Sequence, residues 1–152
     1  MQRISKENYY LNIAQTVLER ATCLRRVYGA IIVKNDEIIS TGYNGAPRGR
    51  RNCVDMGYCT RERLQVPRGE RYELCRSVHA EANAITKVAK SANNCDGSTL
   101  YITAAPCIEC SKLIIQAGIR RVVYAEDYRS EEGLNLLRRV GIECVQYELN
   151  EK

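Results

Sequence analysis

The chain contains one histidine, and that residue belongs to a set of side chains suited to holding a zinc ion. His79 is followed by Glu81, and further along the chain come Cys107 and Cys110. One imidazole and two thiolates are typical ligands of a catalytic zinc, which keeps its fourth position open for water. Glu81 is not needed as a ligand and is free to move protons. The alternatives are a capping or surface role for the histidine, and a structural zinc or a redox pair for the cysteines.

Both halves of this set are predicted at strand-to-helix junctions. His79 and Glu81 begin one helix, and Cys107 and Cys110 begin the next. Two cysteines three positions apart lie on one face of a helical turn. The partial positive charge of a helix N-terminus favours the thiolate form of cysteine. Two neighbouring helix starts can therefore converge on a single metal ion.

The elements that must position these residues follow from hydrophobic periodicity. Apolar residues from Tyr10 to Ala21 recur at helical spacing and predict a first helix over about residues 6–21. The later elements are strands at 29–33 and 38–43 with a turn at 34–36, a helix from 79, a strand at 100–103, a helix at 107–117, a strand at 122–125, a helix at 131–140 and a strand at 142–147. This order predicts an α/β fold in which helices cover both faces of a mixed sheet.

A chain of 152 residues is expected to form one domain, residues 1–152. Between Asn44 and Val78 the periodic pattern disappears, and this stretch holds eight arginines, four glycines, two prolines and three cysteines. A loop of this length inside a compact domain is usually functional or cross-linked. The sequence therefore predicts an ordered insertion at about 45–78.

The composition bears on compartment and partners. No apolar run is long enough to cross a membrane, and the first residues lack the apolar core of a signal peptide, so we expect a cytoplasmic protein without membrane contact. The cytosol keeps thiols reduced, so metal binding explains the eight cysteines better than disulfides do. The formal charge of +5 suits a phosphorylated substrate but also weak nucleic-acid binding.

Several longer motifs resemble those of the deoxycytidylate deaminase family, within the cytidine deaminase fold, over about residues 22–145. The H-x-E and P-C-x-x-C pattern is the signature of zinc nucleobase deaminases. The matching pieces are Thr22-Cys23-Leu24-Arg25, Gly29-Ala30-Ile31-Ile32-Val33, Gly42-Tyr43-Asn44-Gly45-Ala46-Pro47, His79-Ala80-Glu81-Ala82-Asn83-Ala84-Ile85 and Pro106-Cys107-Ile108-Glu109-Cys110. The Gly-Tyr-Asn-Gly piece discriminates best among deaminases. The resemblance implies a three-layer α/β/α arrangement with a mixed five-stranded sheet.

The implied activity is zinc-dependent hydrolysis of dCMP to dUMP with release of ammonia, a step that supplies dUMP for thymidylate synthesis. A bound zinc ion lowers the pKa of a water toward neutrality. Glu81 is predicted to take the proton of that water, to deliver it to ring nitrogen N3 and later to protonate the departing ammonia. His79, Cys107 and Cys110 are the predicted zinc ligands.

By the same resemblance, Asn44 is expected to hydrogen-bond the deoxyribose 3′-hydroxyl, with a turn asparagine as the alternative. Arg25 and Tyr128 are the candidates for the 5′-phosphate, and Arg26 competes with Arg25 for that role. Ala80 completes the predicted substrate-binding set. In two departures from the family pattern, Tyr28 precedes Gly29-Ala30, and Ala105 precedes Pro106-Cys107. Tyr28 is expected to affect the pocket wall.

Further features are implied only by the resemblance. A second, structural zinc is expected at Cys23, Cys53, Cys59 and Cys75, with reduced, partly buried cysteines as the alternative. The family is typically oligomeric, often hexameric, and regulated by dCTP and dTTP, with which Mg²⁺ is expected to bind. A site for such effectors would include residues 45–51 and the arginine-rich insertion.

Two competing functions fit the zinc motif. A polynucleotide deaminase resembling tRNA adenosine deaminases would use the arginines between Arg48 and Arg76 on a phosphate backbone. The long insertion would cover such a site rather than open it, and the chain has neither Phe nor Trp for base stacking, so nucleic acid is not the favoured partner. A deaminase-fold nucleotide-binding module without catalysis would not need Glu81.

Overall fold

The computed structural model describes residues 2–149. Within this range, six α-helices surround one five-stranded sheet. In chain order the elements are α1 (Lys6–Val17), β1 (Gly29–Lys34), β2 (Glu37–Tyr43), α2 (Cys53–Met56), α3 (Thr60–Arg63), α4 (Ala80–Ala89), β3 (Thr99–Ala104), α5 (Ile108–Ala117), β4 (Arg121–Glu126), α6 (Glu132–Arg139) and β5 (Glu143–Gln146). The first α-helix is shorter than predicted, because Leu18–Arg20 form a 3-10 turn.

The strands form one mixed sheet in the order β2-β1-β3-β4-β5, which confirms the predicted fold class. β1 pairs antiparallel with both β2 and β3, whereas β3, β4 and β5 run parallel. The β1–β2 hairpin turns at Asn35 and Asp36, which both have positive φ. Two consecutive positive φ values are typical of a tight hairpin turn, and Asn and Asp tolerate them better than most residues.

Alternate residues of the central strands face two separate helical layers. Ile31, Tyr101 and Val123 pack with α1 on one face of the sheet. Ile32 and Leu100, with their even-numbered neighbours, pack with α4, α5 and α6 on the other face. Because successive side chains of a strand point to opposite faces, a continuous apolar run fits a strand covered on both sides. None of the described helices has the length and apolarity needed to cross a membrane.

This topology brings the predicted site residues to one end of the sheet. Tyr28 precedes β1, whereas Asn44, Cys107 and Tyr128 follow β2, β3 and β4. Since β1 runs opposite to its two neighbours, its beginning lies beside their ends. Loops from four strands therefore meet at the place where α4 and α5 begin.

Close packing between α4 and the sheet depends on Gly42 of β2. A Cβ atom added to Gly42 would overlap the carbonyl oxygen of Ala80 and lie 2.6 Å from the backbone nitrogen of Ala84. Glycine lets the first turn of α4 lie directly against β2. That turn carries Glu81 and follows His79, so this contact helps to position the candidate zinc site.

The 45–78 segment, which connects β2 to α4, has little regular structure. Its regular parts are the one-turn helices α2 and α3 and a 3-10 turn at Tyr72–Leu74. Its two ends are joined, because the Gly45 N–H donates to the Val78 carbonyl at 3.2 Å and the Val78 N–H donates to the Gly45 carbonyl at 2.7 Å. The segment therefore leaves the sheet and returns to it at a single place.

Candidate metal centre and substrate pocket

Two helix N-termini bring His79, Cys107 and Cys110 together. His79 is the N-cap of α4 and Cys107 is the N-cap of α5. The ligand atoms of the three residues all lie within 4.8 Å of one another. The Nδ1 atom of His79 is 3.3 Å from the Cys110 Sγ atom and 3.6 Å from the Cys107 Sγ atom. Residues distant in sequence thus form one cluster of potential ligands.

The donor set fits a zinc ion. It provides one imidazole nitrogen and two sulfur atoms, and both cysteines are buried. Among residues 2–149, no other group of three His, Cys, Asp or Glu side chains brings its ligand atoms this close. Three protein ligands leave the fourth tetrahedral position for water, as in catalytic zinc sites.

Hydrogen bonds within the cluster already favour a cysteine thiolate. The Cys110 thiol and the His79 ring hydrogen-bond to the Cys107 sulfur, which lowers the pKa of Cys107 below its usual value. The Cys110 thiol keeps the shared proton, so the pKa of Cys110 is raised. The hydrogen bond with Cys107 raises the pKa of His79, although burial opposes this effect. A bound cation would displace these protons and take their place between the ligands.

Glu81 lies in the first turn of α4, almost completely buried beside the cluster. Its carboxylate does not belong to the group of potential ligands. Burial raises the pKa of Glu81 to about 7, and the nearby His79 ring opposes this effect. A carboxyl group that changes protonation near neutral pH is suited to both accept and donate protons in one reaction cycle.

His79 and Cys107 of the cluster line a pocket that also has an electropositive wall. Ile102, Ala104 and Ala105 contribute apolar surface near the ligands. Glu81 is the single acidic side chain among the described lining residues, against five arginines: Arg25, Arg26, Arg61, Arg68 and Arg129. Such a pocket is suited to a small ligand with a flat, weakly polar ring at one end and a negative charge at the other.

Asn44 lines the pocket but also holds its wall in place. The Tyr28 N–H donates to the Asn44 Oδ1 atom at 2.8 Å, and the Asn44 Nδ2 atom donates to the Arg26 carbonyl at 2.9 Å. A side-chain amide has two N–H donors and two acceptor lone pairs, so one of each stays available for a ligand. The side chain therefore links β2 to the loop that carries the predicted phosphate-binding arginines.

The other residues predicted to bind the substrate differ in their contacts and in their exposure to solvent. The Arg25 Nε atom pairs with the Glu62 carboxylate at 3.2 Å. Arg26 is exposed, and its guanidinium lies over the Tyr28 ring at 5.4 Å from the centroid. Tyr128 lines the pocket, whereas the side chain of Ala80 is buried in the core and does not. Ala80 could therefore contact a substrate only through its backbone, and this contact stays a prediction.

The four cysteines predicted to bind a second zinc surround one region without forming a ligand cluster. Cys23, Cys59 and Cys75 line the pocket, while Cys53 is buried. Burial raises the pKa of Cys53. No three of their sulfur atoms lie within 4.8 Å of one another. The second zinc therefore stays a prediction.

Three residues at the site were not predicted from the sequence. The Tyr72 ring contacts the His79 ring edge-on, with 5.3 Å between centroids. Arg61 is a buried lining residue. Gly133 of α6 packs on the cysteine loop, since a Cβ there would overlap the Pro106 carbonyl oxygen. Neither periodicity nor motif distinguishes Arg61 or Tyr72 from their neighbours, and the glycine within α6 was the one available signal for a close contact.

Comparison with known proteins identifies the family. The sequence pattern of the protein family described as the cytidine and deoxycytidylate deaminase zinc-binding region matches residues 4–126. The chain belongs to this deaminase family. The matched range includes all three candidate zinc ligands and Glu81.

Individual relatives are similar to this chain over most of its length. A Bacillus subtilis protein named ComE operon protein 2 is 39% identical over 99% of this chain and 76% of its own length. Deoxycytidylate deaminase of Mycobacterium phage D29 is 41% identical over 84% of this chain and 99% of its own length. The chain spans only 48% and 45% of the two yeast deoxycytidylate deaminases that it matches.

A solved structure agrees with the sequence relatives. The crystal structure of dCMP deaminase from cyanophage S-TIM5 in complex with dCMP and dUMP has a TM-score of 0.79 and 34% identity. The similarity covers 95% of this chain and 100% of that chain. The five-stranded mixed sheet and its helical layers are therefore those of this deaminase family.

Proposed function

We propose that the protein hydrolyses dCMP to dUMP and ammonia. The observation that carries this proposal is one pocket that combines the three candidate zinc ligands and Glu81 with five lining arginines. The ligands and the buried acid provide the chemistry of deamination, and the arginines favour a substrate with a phosphate. The relatives named deoxycytidylate deaminase and the dCMP complex of the phage enzyme support the same substrate.

His79, Cys107 and Cys110 would hold the zinc ion, which when bound acts as a Lewis acid and increases the acidity of a water molecule. Glu81 accepts a proton from the attacking water while the oxygen adds to C4 of cytosine. It passes that proton to N3, and later transfers the second water proton to the amino group. The C4–N bond then breaks, ammonia leaves, and the C4 carbonyl of uracil forms. Burial raises the pKa of Glu81 above its usual value, which helps the group to accept as well as donate protons.

The rest of the nucleotide would extend toward the arginine-lined wall. Asn44 binds the 3′-hydroxyl with the N–H and lone pair that its contacts to Arg26 and Tyr28 leave available. Arg25 and Tyr128 contact the 5′-phosphate, and Tyr28 forms part of the wall. The 45–78 segment acts as an ordered insertion of a single domain that covers the pocket, because Cys59, Arg68 and Tyr72 all line it.

The proposal is tested by ammonia release from dCMP, cytidine, dCTP and a tRNA stem-loop, each at the same concentration. We expect dCMP to be the strongly preferred substrate. Preference for the stem-loop would instead establish a polynucleotide deaminase, and the absence of any ammonia release by zinc-loaded protein would establish a binding module. The Glu81→Gln variant serves as the control for contaminating deaminases.

Finer aspects of this function come from the family resemblance. A dCTP or dTTP effector with Mg²⁺ would bind near residues 45–51, where Arg50 and Arg51 line a surface hollow together with Arg76. The protein would also form a homohexamer and bind a second zinc at Cys23, Cys53, Cys59 and Cys75. None of the eight cysteines, all within residues 2–149, takes part in a disulfide. A cytoplasmic location, where thiols stay reduced, belongs to the same proposal.

Three measurements test these features: metal content per chain, mass in solution, and the dCMP rate with and without each effector. Two zinc ions per chain would support the second site. One zinc ion per chain, together with an undiminished stability of the Cys59→Ser variant, would contradict it.

A further inference from the structure

Arg61 stands apart from the other four arginines of the pocket. Its side chain is buried, with 8% of its surface exposed, whereas Arg26, Arg68 and Arg129 are exposed and Arg25 is partly exposed. The Nε and Nη2 atoms of Arg61 are buried and have no hydrogen-bond partner among the described residues. A permanently charged group without partners is costly to bury, so such a group normally has an anion to bind.

The neighbours of Arg61 hold the guanidinium beside the reaction centre. The group lies over the Tyr72 ring, 4.8 Å from its centroid. The same ring contacts His79 edge-on at 5.3 Å between centroids. Arg61 is thus one aromatic ring away from a candidate zinc ligand, and it lines the same pocket as Tyr128. A cation held by stacking keeps its N–H groups free for a ligand.

The carboxylates near Arg61 do not pair with its guanidinium. Glu62, the next residue, pairs with Arg25 at 3.2 Å. No described carboxylate forms an ion pair with Arg61, and Glu81 is the single acidic lining residue. The exposed Glu62 carboxylate is therefore paired with Arg25, the predicted phosphate-binding residue, whereas the buried guanidinium of Arg61 has no counter-ion among residues 2–149.

We propose that Arg61 binds the 5′-phosphate of the substrate and thereby sets the preference for a nucleotide over a nucleoside. This inference rests on the proposed function and adds a residue that the sequence motifs did not indicate. A phosphate dianion can accept hydrogen bonds from the Nε and Nη2 atoms of one guanidinium at the same time. It would also provide the negative charge that the buried group lacks.

The test compares kcat/KM for dCMP with kcat/KM for deoxycytidine, which lacks the phosphate. Arg61→Met retains the length of the side chain without its charge, and Arg61→Gln retains polarity. Arg63→Met is the matched control, because Arg63 lies in the same helix, is exposed and stacks on Tyr58 at 4.3 Å without lining the pocket. Thermal unfolding of each variant is measured with and without dUMP.

We expect both Arg61 variants to lower the ratio of dCMP to deoxycytidine activity by roughly 10- to 100-fold, the effect of losing hydrogen bonds between charged groups. The Arg63 control should keep the ratio of the unmodified protein. Without dUMP, Arg61→Met should not lower Tm, since it removes a charge that is buried without a partner. The Tm increase caused by dUMP should be much smaller in this variant than in the unmodified protein.

An unchanged ratio would overturn the proposal, including the case in which activity on both substrates falls in parallel. Failure of both Arg61 variants to fold would show that the residue is structural and would likewise overturn it. If the unmodified protein has the same kcat/KM for deoxycytidine as for dCMP, or deaminates neither of them, the proposed function itself is wrong. A different result overturns only the role of Arg61: the unmodified protein prefers dCMP, and the Arg61 variants keep this preference.

Discussion

The helix starts that carry the candidate zinc ligands and the 45–78 segment line the same pocket, but different forces hold them in place. The start of α4 is packed on the sheet, with Ala80, Glu81 and Ala84 buried. The 45–78 segment has few buried side chains and exposes Val54, Tyr58 and Leu64. It is attached by the backbone pairing of Gly45 with Val78, by hydrogen bonds to Thr22 and by one ion pair to Arg25, and arginines stack on tyrosines within it.

This difference assigns different tasks to the two regions. Chemistry on a small reacting centre requires groups held within fractions of an ångström, which packed secondary structure provides. Recognition of a charged substrate tolerates a more adjustable wall, and loops on a rigid scaffold commonly provide it. We therefore expect changes near α4 and α5 to affect kcat and the metal, and changes in the 45–78 segment to affect KM and substrate preference.

The largest effect is expected for His79→Ala. Without this residue the cluster keeps only two ligands, so metal analysis should find far less than one zinc per chain. Ammonia release should fall by roughly four orders of magnitude or more, because no activated water is available at neutral pH. Full zinc content with intact activity would show that His79 is a cap and not a ligand.

Glu81→Gln should separate proton transfer from metal binding. We expect kcat to fall by roughly 10²- to 10⁴-fold, the usual contribution of a positioned acid–base group. Zinc content should not change, because the Glu81 carboxylate lies outside the ligand cluster. Near-normal turnover by the zinc-loaded variant would contradict the assigned role.

A pair of glycine variants compares the rigidity of the two regions directly. Gly42→Ala should lower the free energy of unfolding by about 1–3 kcal/mol, as overpacking does, and should lower kcat because it displaces the start of α4. Gly45→Ala, at the beginning of the 45–78 segment, meets its nearest atom, the Thr22 Oγ1 atom, at 3.1 Å. Its effect should stay under about 1 kcal/mol. Urea unfolding curves of both variants measure the difference, and equal losses would contradict the comparison.

The smallest effect is expected for Glu62→Gln, which removes the partner of Arg25. The Glu62 carboxylate is exposed, so the ion pair should contribute no more than about 1 kcal/mol to stability. KM for dCMP should decrease by about two- to five-fold, because the phosphate no longer competes with a carboxylate for Arg25. KM for deoxycytidine is the control and should not change. A higher KM for dCMP would mean that the ion pair positions Arg25 for binding.

Much of the fold could be predicted because its signals are local. The apolar run of β1 indicated a strand covered on both faces, and Gly118 marked the end of α5, where it adopts positive φ. The element order then restricted the architecture to a mixed sheet between helices. The 45–78 segment could be recognised only as irregular, because α2 and α3 are single turns, too short to show a period of their own. Each contacts a distant segment, α2 at Thr22 and α3 at Arg25.

The sequence by itself determined which chemical groups are available and which of them begin helices. His79, Glu81, Cys107 and Cys110 could be proposed as one site because one histidine and one cysteine pair stand at helix starts, where the spacing of a few residues fixes their geometry. Only the tertiary structure decided how each charge is solvated and paired. Arg25 pairs with the Glu62 carboxylate, whereas Arg61 is buried without a counter-ion among the described residues. Solvation and pairing depend on contacts between distant segments, and local sequence spacing does not encode them.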